Sequence, residues 1–353
     1  MSKKQYIICM ITAKFGGTAV TPRNLHCLKE IVGQKHGCVV VSAIGKESAD
    51  DVKVTDLLKA YYRGDEKAWQ AVECKYKRLA LVNGIDEDVE KLLFDAKKRS
   101  LCNGADYCLS LGEELSAKLV ASFLKVPYIE AEKCVVFGKN SLDVKRTFCN
   151  LQNSFGGVPM AVMGGFYGGC EGGRKVFSRG GGDVTGSICA VALHSTLYEN
   201  WTDVNGVCVA NPHLVQMPKT ISSLSYREMY LLAKNGAQVL HPTAVRIAQR
   251  CAISIRVANY LNPCARDTLV SNCPSKEAFL AVTEKPNGKG FLTTLLHRMP
   301  LGKVFDILHR ALDNNRFNGV DEGIISVLTD KNVVQVQSQQ SLLRTLYDAF
   351  CTL

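Results

Sequence analysis

The first spacing with chemical content in this chain is Lys14-Phe15-Gly16-Gly17-Thr18, set directly after the apolar run Tyr6 to Ala13. Adjacent glycines let backbone N–H groups come close to an anion, a following helix N-terminus adds positive potential, and a lysine supplies a mobile point charge. The segment reads as a phosphate cradle, with an ordinary strand-to-helix turn as the plainer alternative. It is neither a P-loop, which places Gly-Lys-Ser/Thr after four intervening residues, nor a G-x-G-x-x-G dinucleotide fingerprint. A second spacing is Arg179-Gly180-Gly181-Gly182-Asp183, followed by small residues through Ala190. Arginine can clamp a carboxylate through two parallel hydrogen bonds, and an aspartate near a helix start can orient a cation, an amine or a lysine. A glycine loop with an aspartate N-cap is the plainer reading here. The third, Trp201-Thr202-Asp203-Val204-Asn205-Gly206-Val207, taken alone is a turn between strands, because Asn-Gly is a hairpin signal.

These segments need elements that bring them to one edge. Tyr6 to Ala13 predicts a buried strand, and Thr21-Pro22 opens a helical spacing through Leu28 and Ile31. Gly37 to Ala43 predicts a second buried strand ending at Ser42. Residues 54–100 are polar with helical period, followed by a helix from Leu111 to Leu124 and a short strand at Tyr128-Ile129. Strands are further expected at Val158 to Met163, Val204 to Ala210 and Ile253 to Val257, with a helix at Tyr226 to Lys234. Alternation of this kind means an α/β fold. The pattern breaks at Ser271 to Glu277, which places a boundary between domains 1–275 and 276–353. Beyond it come strands at Ala278 to Val282, Phe291 to Leu296, Gly323 to Leu328 and Val333 to Val336, a helix carrying Val304, Ile307, Leu308 and Leu312, and a last helix from Ser341. That is a small α+β unit.

Composition excludes several classes. The apolar share is 46% and the charged share 22%, so the chain can bury a core and is neither disordered nor collagenous. Its 15 cysteines are scattered with no C-x-x-C, which argues for a reduced, cytoplasmic setting and against a structural metal. The opening apolar run is far shorter than the roughly 20 residues of a membrane span, so no membrane partner is expected. Lys and Arg exceed Asp and Glu by 43 to 33, giving +10. No nucleic-acid motif or interleaved aromatics accompany that charge, so small anions are its expected partners.

In order and content the segments resemble the aspartate kinase branch of the amino-acid kinase family. Lys14 to Val20 resembles its K-F-G-G-T-S-V, and Ser110-Leu111-Gly112-Glu113 with Leu115-Ser116 resembles S-x-G-E-x-L-S. Gly165-Phe166-Tyr167-Gly168 is similar to G-F-x-G, Arg179 to Asp183 to R-G-G-S-D, Thr202 to Val207 to T-D-V-D-G-V, and Gly236 to Pro242 to G-A-K-V-L-H-P. The resemblance implies a three-layer αβα sandwich with a shortened ACT-like C-terminal region that regulates or dimerises. It implies transfer of the γ-phosphoryl of ATP, carried with Mg2+, to the side-chain carboxylate of L-aspartate, giving 4-phospho-L-aspartate for lysine, threonine and methionine synthesis. Lysine or threonine as effector, and a homodimer or higher homo-oligomer, belong to the same expectation. A carboxylate is already a nucleophile, so such a site needs positioning and charge stabilisation rather than a base.

Carried over position by position, Lys14 is expected to neutralise the phosphoryl group in flight and Asp183 to orient Lys14 or the reacting groups, while Gly16 and Gly17 contact phosphate oxygens. Arg179 clamps the amino acid's α-carboxylate and Glu113 takes its ammonium. Ser42, Thr55 and Phe166 border the substrate, and Thr202, Asp203, Gln238 and Val239 face the nucleotide. The chain departs from the pattern at Ala19 and Gly182, which replace serines, at Glu114, where arginine is common, at Asn205, at His213 of Asn211-Pro212-His213 in place of D-P-R, and at Gln238, which replaces a lysine. Lys234, one helical turn earlier, is a candidate to compensate for Gln238. A degenerate kinase-fold protein that only binds an amino acid, or a kinase for another amino-acid carboxylate, are the alternatives these departures leave open.

Overall fold

The computed structural model describes residues 10–351 apart from 101, 140, 178, 179, 213, 276, 278, 288, 289, 298, 315–324, 327–332, 339 and 340. Strands β1 (Ile11–Phe15), β2 (His36–Val41), β3 (Tyr128–Ile129), β4 (Ala161–Gly164), the hairpin β5 (Tyr167–Cys170) and β6 (Gly173–Val176), β7 (Leu197–Thr202), β8 (Ser223–Ser225), β9 (Ser254–Asn259) and β10 (Thr268–Ser271) precede a second group. That group is β11 (Phe279–Asn287), β12 (Gly290–His297), β13 (Ile325–Ser326) and β14 (Val333–Ser338). The helices are α1 (Leu25–Ile31), α2 (Val54–Tyr62), α3 (Glu66–Asn83), α4 (Val89–Ser100), α5 (Gly104–Leu124), α6 (Ala131–Cys134), α7 (Val144–Phe155), α8 (Gly181–Ala192), α9 (Tyr226–Lys234), α10 (Pro242–Arg250), α11 (Leu301–Asn314) and α12 (Leu343–Cys351).

The main sheet runs β3-β4-β2-β1-β7-β9-β10-β8, parallel except where β10 meets β9. Every residue of β2 is buried because both faces of the sheet are covered. Val39 and Val41 pack with α2, α3 and α5 on one face, through Leu58, Trp69, Tyr76 and Leu111, whereas Cys38 and Val40 pack with Leu151 of α7 and Ile188 of α8 on the other. The fold is therefore the expected αβα sandwich. A separate antiparallel sheet, β11-β12-β14-β13, carries α11 and α12 and forms the small C-terminal α+β unit.

The strand expected at Val204 to Ala210 is absent. The strand is instead Leu197–Thr202, and 204–210 is a loop that turns at Gly206 (φ 73°). Its amides are satisfied from outside a ladder, Val207 donating to Thr268 Oγ1 (2.8 Å), so apolar content alone misplaced the element. No helix among the described residues is long and apolar enough to cross a membrane.

Candidate active site

β1 lies between β2 and β7, so the chain leaves it toward one side and returns on the other. In such sheets the crevice opens at the carboxyl ends of the strands beside that switch. Here those ends deliver Lys14 to Gly17 from β1, Ser42 from β2, Gly165 and Phe166 from β4, and Thr202 and Asp203 from β7. The N-terminus of α8 faces them with Gly180, Gly181 and Gly182.

Lys14 Nζ and Asp183 Oδ1 form an ion pair of 2.7 Å, and the backbone N–H of His241 donates to Asp183 Oδ2 at 3.0 Å. The carboxylate is thus fixed from both sides. Side chains would obstruct this corner. A Cβ on Gly182 would stand 3.1 Å from Ser42 Oγ and 3.3 Å from Lys14 Cε, and one on Gly17 would stand 2.6 Å from the Ala43 carbonyl. Gly180 adopts φ 78° with the His241 ring where a Cβ would go. Phe166 also takes a left-handed φ, 74°, held by its amide donating to Thr185 Oγ1 (3.1 Å) and by Phe177 N–H donating to its carbonyl (2.7 Å). A bulky residue in that region is strained, and such strain persists where the surroundings over-determine it.

Glu113, on α5, is buried and joins this corner through the Ala43 amide, which hydrogen-bonds its carboxylate. Its Oε2 has no partner among the described residues. Burial pushes the carboxyl from the ordinary 4.5 up to about 8, the amide opposing only part of that. Thr55 sits in the first turn of α2, next to Val54, which packs at Gly112 beside Glu113. Arg179 and His213 lie outside the described residues.

The expected nucleotide residues come together separately. Thr202, Asp203, Gln238 and Val239 line one cavity of about 370 Å³ with Gly206, Asn211 and Gly236. Asn200 Nδ2 donates to the Val239 carbonyl at 3.0 Å, tying that loop to β7. Gly16 N–H donates to the carbonyl of Trp201, adjacent to Thr202, so the cavity adjoins the Lys14 corner. Lys234 is exposed at the end of α9, outside the residues that line the cavity. A larger depression of about 890 Å³, bounded by Glu132, Phe137, Arg146 and Lys175, contains none of the expected site residues.

A model of the amino acid kinase family matches residues 10–259. The chain belongs to the amino acid kinase family. Within that family it is homologous to the aspartokinases: it is 33% identical to Aspartokinase 3 of Bacillus subtilis over 94% of this chain and 78% of that protein. The structure superposes on an aspartate kinase of Clostridium acetobutylicum with a TM-score of 0.85 at 24% identity, covering 97% of this chain and 100% of that one. Against Escherichia coli aspartokinase III in complex with aspartate and ADP the TM-score is 0.69 at 26% identity, covering 94% and 80%. The aligned stretch spans between 56% and 78% of the length of several curated aspartokinases.

Sequence reasoning missed how this chain holds α5 to the β5–β6 hairpin. Arg174 of β6 is buried, pairs with Glu114 Oε2 (2.7 Å) and with Glu132, donates to Ser110 Oγ (3.0 Å), and lies between the rings of Tyr107 and Tyr167, 4.1 and 4.9 Å from their centroids. Burial acts to raise the Glu114 carboxyl, but Arg174, Lys118 and Arg99 outweigh it and hold it at about 2. The neighbouring carboxyls of Glu113 and Glu114 are thereby driven in opposite directions. A lone arginine in a hairpin carries no sequence signal, whereas Glu114 in place of arginine was the visible half of the pair.

Proposed function

We propose that this protein is an aspartate kinase, transferring the γ-phosphoryl of ATP to the side-chain carboxylate of L-aspartate. The observation that carries the reading is the buried Glu113 carboxylate with an open oxygen, in the same corner as the Lys14–Asp183 pair. An ammonium is the partner that such a carboxylate lacks, since it supplies both hydrogen bonds and the charge that ionises the group. In this reading Arg179 takes the α-carboxylate, which leaves the side-chain carboxylate of a short dicarboxylic amino acid directed toward Lys14. The capture of E. coli aspartokinase III with aspartate and ADP supports the same pairing of ligands.

An oxygen of the aspartate side chain attacks the γ-phosphorus while the bond to the bridging oxygen of ADP breaks, and no proton has to move. Lys14, the Gly16 and Gly17 amides and the N-terminus of the 12-residue helix α8 offset charge on the transferring group. Asp183 is a positioning residue that fixes the Lys14 ammonium. Magnesium would arrive with the nucleotide as part of the substrate. Among the described residues no group of three or more His, Cys, Asp or Glu side chains is arranged to hold a metal ion.

ADP release and aspartyl hydroxamate formation, measured with aspartate, glutamate and no acceptor, test the reading. Aspartate-dependent hydroxamate is expected. ATP turnover with another acceptor only, or amino-acid binding with no turnover, would replace it by one of the two alternatives. Lysine or threonine acting on the C-terminal unit is part of the proposal, and unchanged activity across millimolar concentrations of both would remove that part.

A further inference from the structure

The cavity shared by Thr202, Asp203, Gln238 and Val239 has a wall from outside the family's matched region: Thr283 and Glu284 of β11 line it too. Thr283 is 8% exposed, and its hydroxyl finds no partner among the described residues. Its strand neighbours Ala281 and Val282 pack into apolar clusters, where an isosteric valine would serve packing as well as a threonine. A buried hydroxyl without a partner costs stability and calls for an explanation.

Glu284 is held in place beside it. Its Oε1 accepts from Thr293 Oγ1 (2.8 Å) and from the Leu342 amide (3.1 Å), and its Oε2 accepts from Ser341 Oγ (2.7 Å). A carboxylate has about four acceptor positions, so this one retains capacity for a further donor. The strand cannot withdraw: Val282 N–H donates to the Val209 carbonyl at 2.8 Å, and the Glu284 carbonyl stands 2.5 Å from where a Cβ on Gly236 would be.

A hydroxyl and a carboxylate side by side fit a ligand part offering hydroxyl groups, which both donate and accept. Phosphates are disfavoured next to a carboxylate and have Lys14 and the glycine amides at the adjoining corner. Carboxylates at nucleotide sites bind ribose hydroxyls. We propose that Thr283 and Glu284 of the C-terminal unit bind the ribose hydroxyls of the nucleotide, so that this unit is a structural part of the nucleotide site. The inference rests on reading the cavity as the nucleotide site.

The test is calorimetric titration of the full chain and its Thr283→Val and Glu284→Gln variants with ADP, 2′,3′-dideoxy-ADP and inorganic tripolyphosphate, all with magnesium. Thr283→Val is expected to raise the ADP Kd about fivefold, to leave tripolyphosphate unchanged, and to melt no lower than the parent. The dideoxy nucleotide should bind parent and Thr283→Val alike. Glu284→Gln should weaken ADP in the same selective way, and Thr283→Val decides if loss of the contacts to Ser341 and Leu342 unfolds it. Equal ADP affinity in parent and Thr283→Val, or equal weakening toward tripolyphosphate, would overturn the inference while leaving the cavity a nucleotide site. A parent chain that binds no ADP would overturn both.

Discussion

Glu113→Gln should stabilise the protein, and by an amount that grows with pH. A glutamate that titrates near 4.5 when unfolded and at about 8 when folded keeps its proton on folding through neutral pH. The folded-state value is the raised one, so the penalty is absent below pH 4.5, accumulates as pH rises, and levels off above about 8. At 1.36 kcal/mol per pKa unit, the cost is about 1 kcal/mol at pH 5 and about 4 kcal/mol at pH 7.5. Glutamine keeps the shape and cannot ionise, so the stability difference between variant and parent should widen by about 3 kcal/mol over that interval. Urea unfolding of the ligand-free protein at half-unit pH steps measures it directly. In the proposed reading the same proton governs the substrate: binding an ammonium requires an ionised Glu113, and the ionised fraction of a group titrating at about 8 grows about fivefold between pH 7 and 8, so aspartate affinity should rise about fivefold, a cost of about 1 kcal/mol being removed. Parallel stability curves for parent and variant across pH 5 to 8 would show that Glu113 is ionised in the free protein and that the burial argument is wrong.

Lys14→Ala should lower kcat by about 10²- to 10³-fold, the scale for one preorganised donor, with the aspartate KM within about twofold; a KM effect of equal size would make Lys14 a binding group instead. Arg174→Met should cost about 3 kcal/mol, the low end for breaking a buried pair, because Lys118 and Arg99 still face Glu114. Urea unfolding would check this, with Arg174→Met/Glu114→Gln recovering part of the loss. Glu114, held at about 2, contributes stability that is present above pH 4.5 and lost as pH falls toward 2, so Glu114→Gln should flatten the acid limb of the unfolding curve; an unaltered limb would count against the network. Gly180→Ala should cost about 2 kcal/mol, since φ 78° and the His241 ring both oppose a side chain, and should lower kcat by disturbing the His241 amide on Asp183. An unchanged melting temperature would refute it.

The sequence made the sheet readable wherever one residue pattern had one interpretation. β2 carries the apolar run Cys38 to Val41, and a strand of that kind has to be covered on both faces, while α9 spans the expected Tyr226–Lys234. The error at 204–210 came from apolar residues that serve a loop bonded to β10 and to residues near 220. Of the site, the local spacing indicated Lys14, Gly16, Gly17 and Asp183, because glycine turns and helix starts constrain residue type, whereas Ser42 and Glu113 were legible only through the family resemblance. What stayed hidden acts across long separations. Arg174 meets Glu114 over a gap that no period reveals, His241 reaches Asp183 through a backbone amide, and Thr283 is set apart by a buried hydroxyl with no partner among the described residues.

The seam between the two sheets bears on how this chain could be recombined. Ala281 shares a core with Met229 and Leu232, Val282 shares one with Ala210 and Val215, and Gly236 tolerates no side chain against the Glu284 carbonyl. A chimera that joins the catalytic part of one homologue to the C-terminal part of another would therefore have to inherit residues 207–215, position 236 and β11 from a single parent. Crossovers within this patch should yield misassembled proteins, whereas crossovers on either side of it should be tolerated.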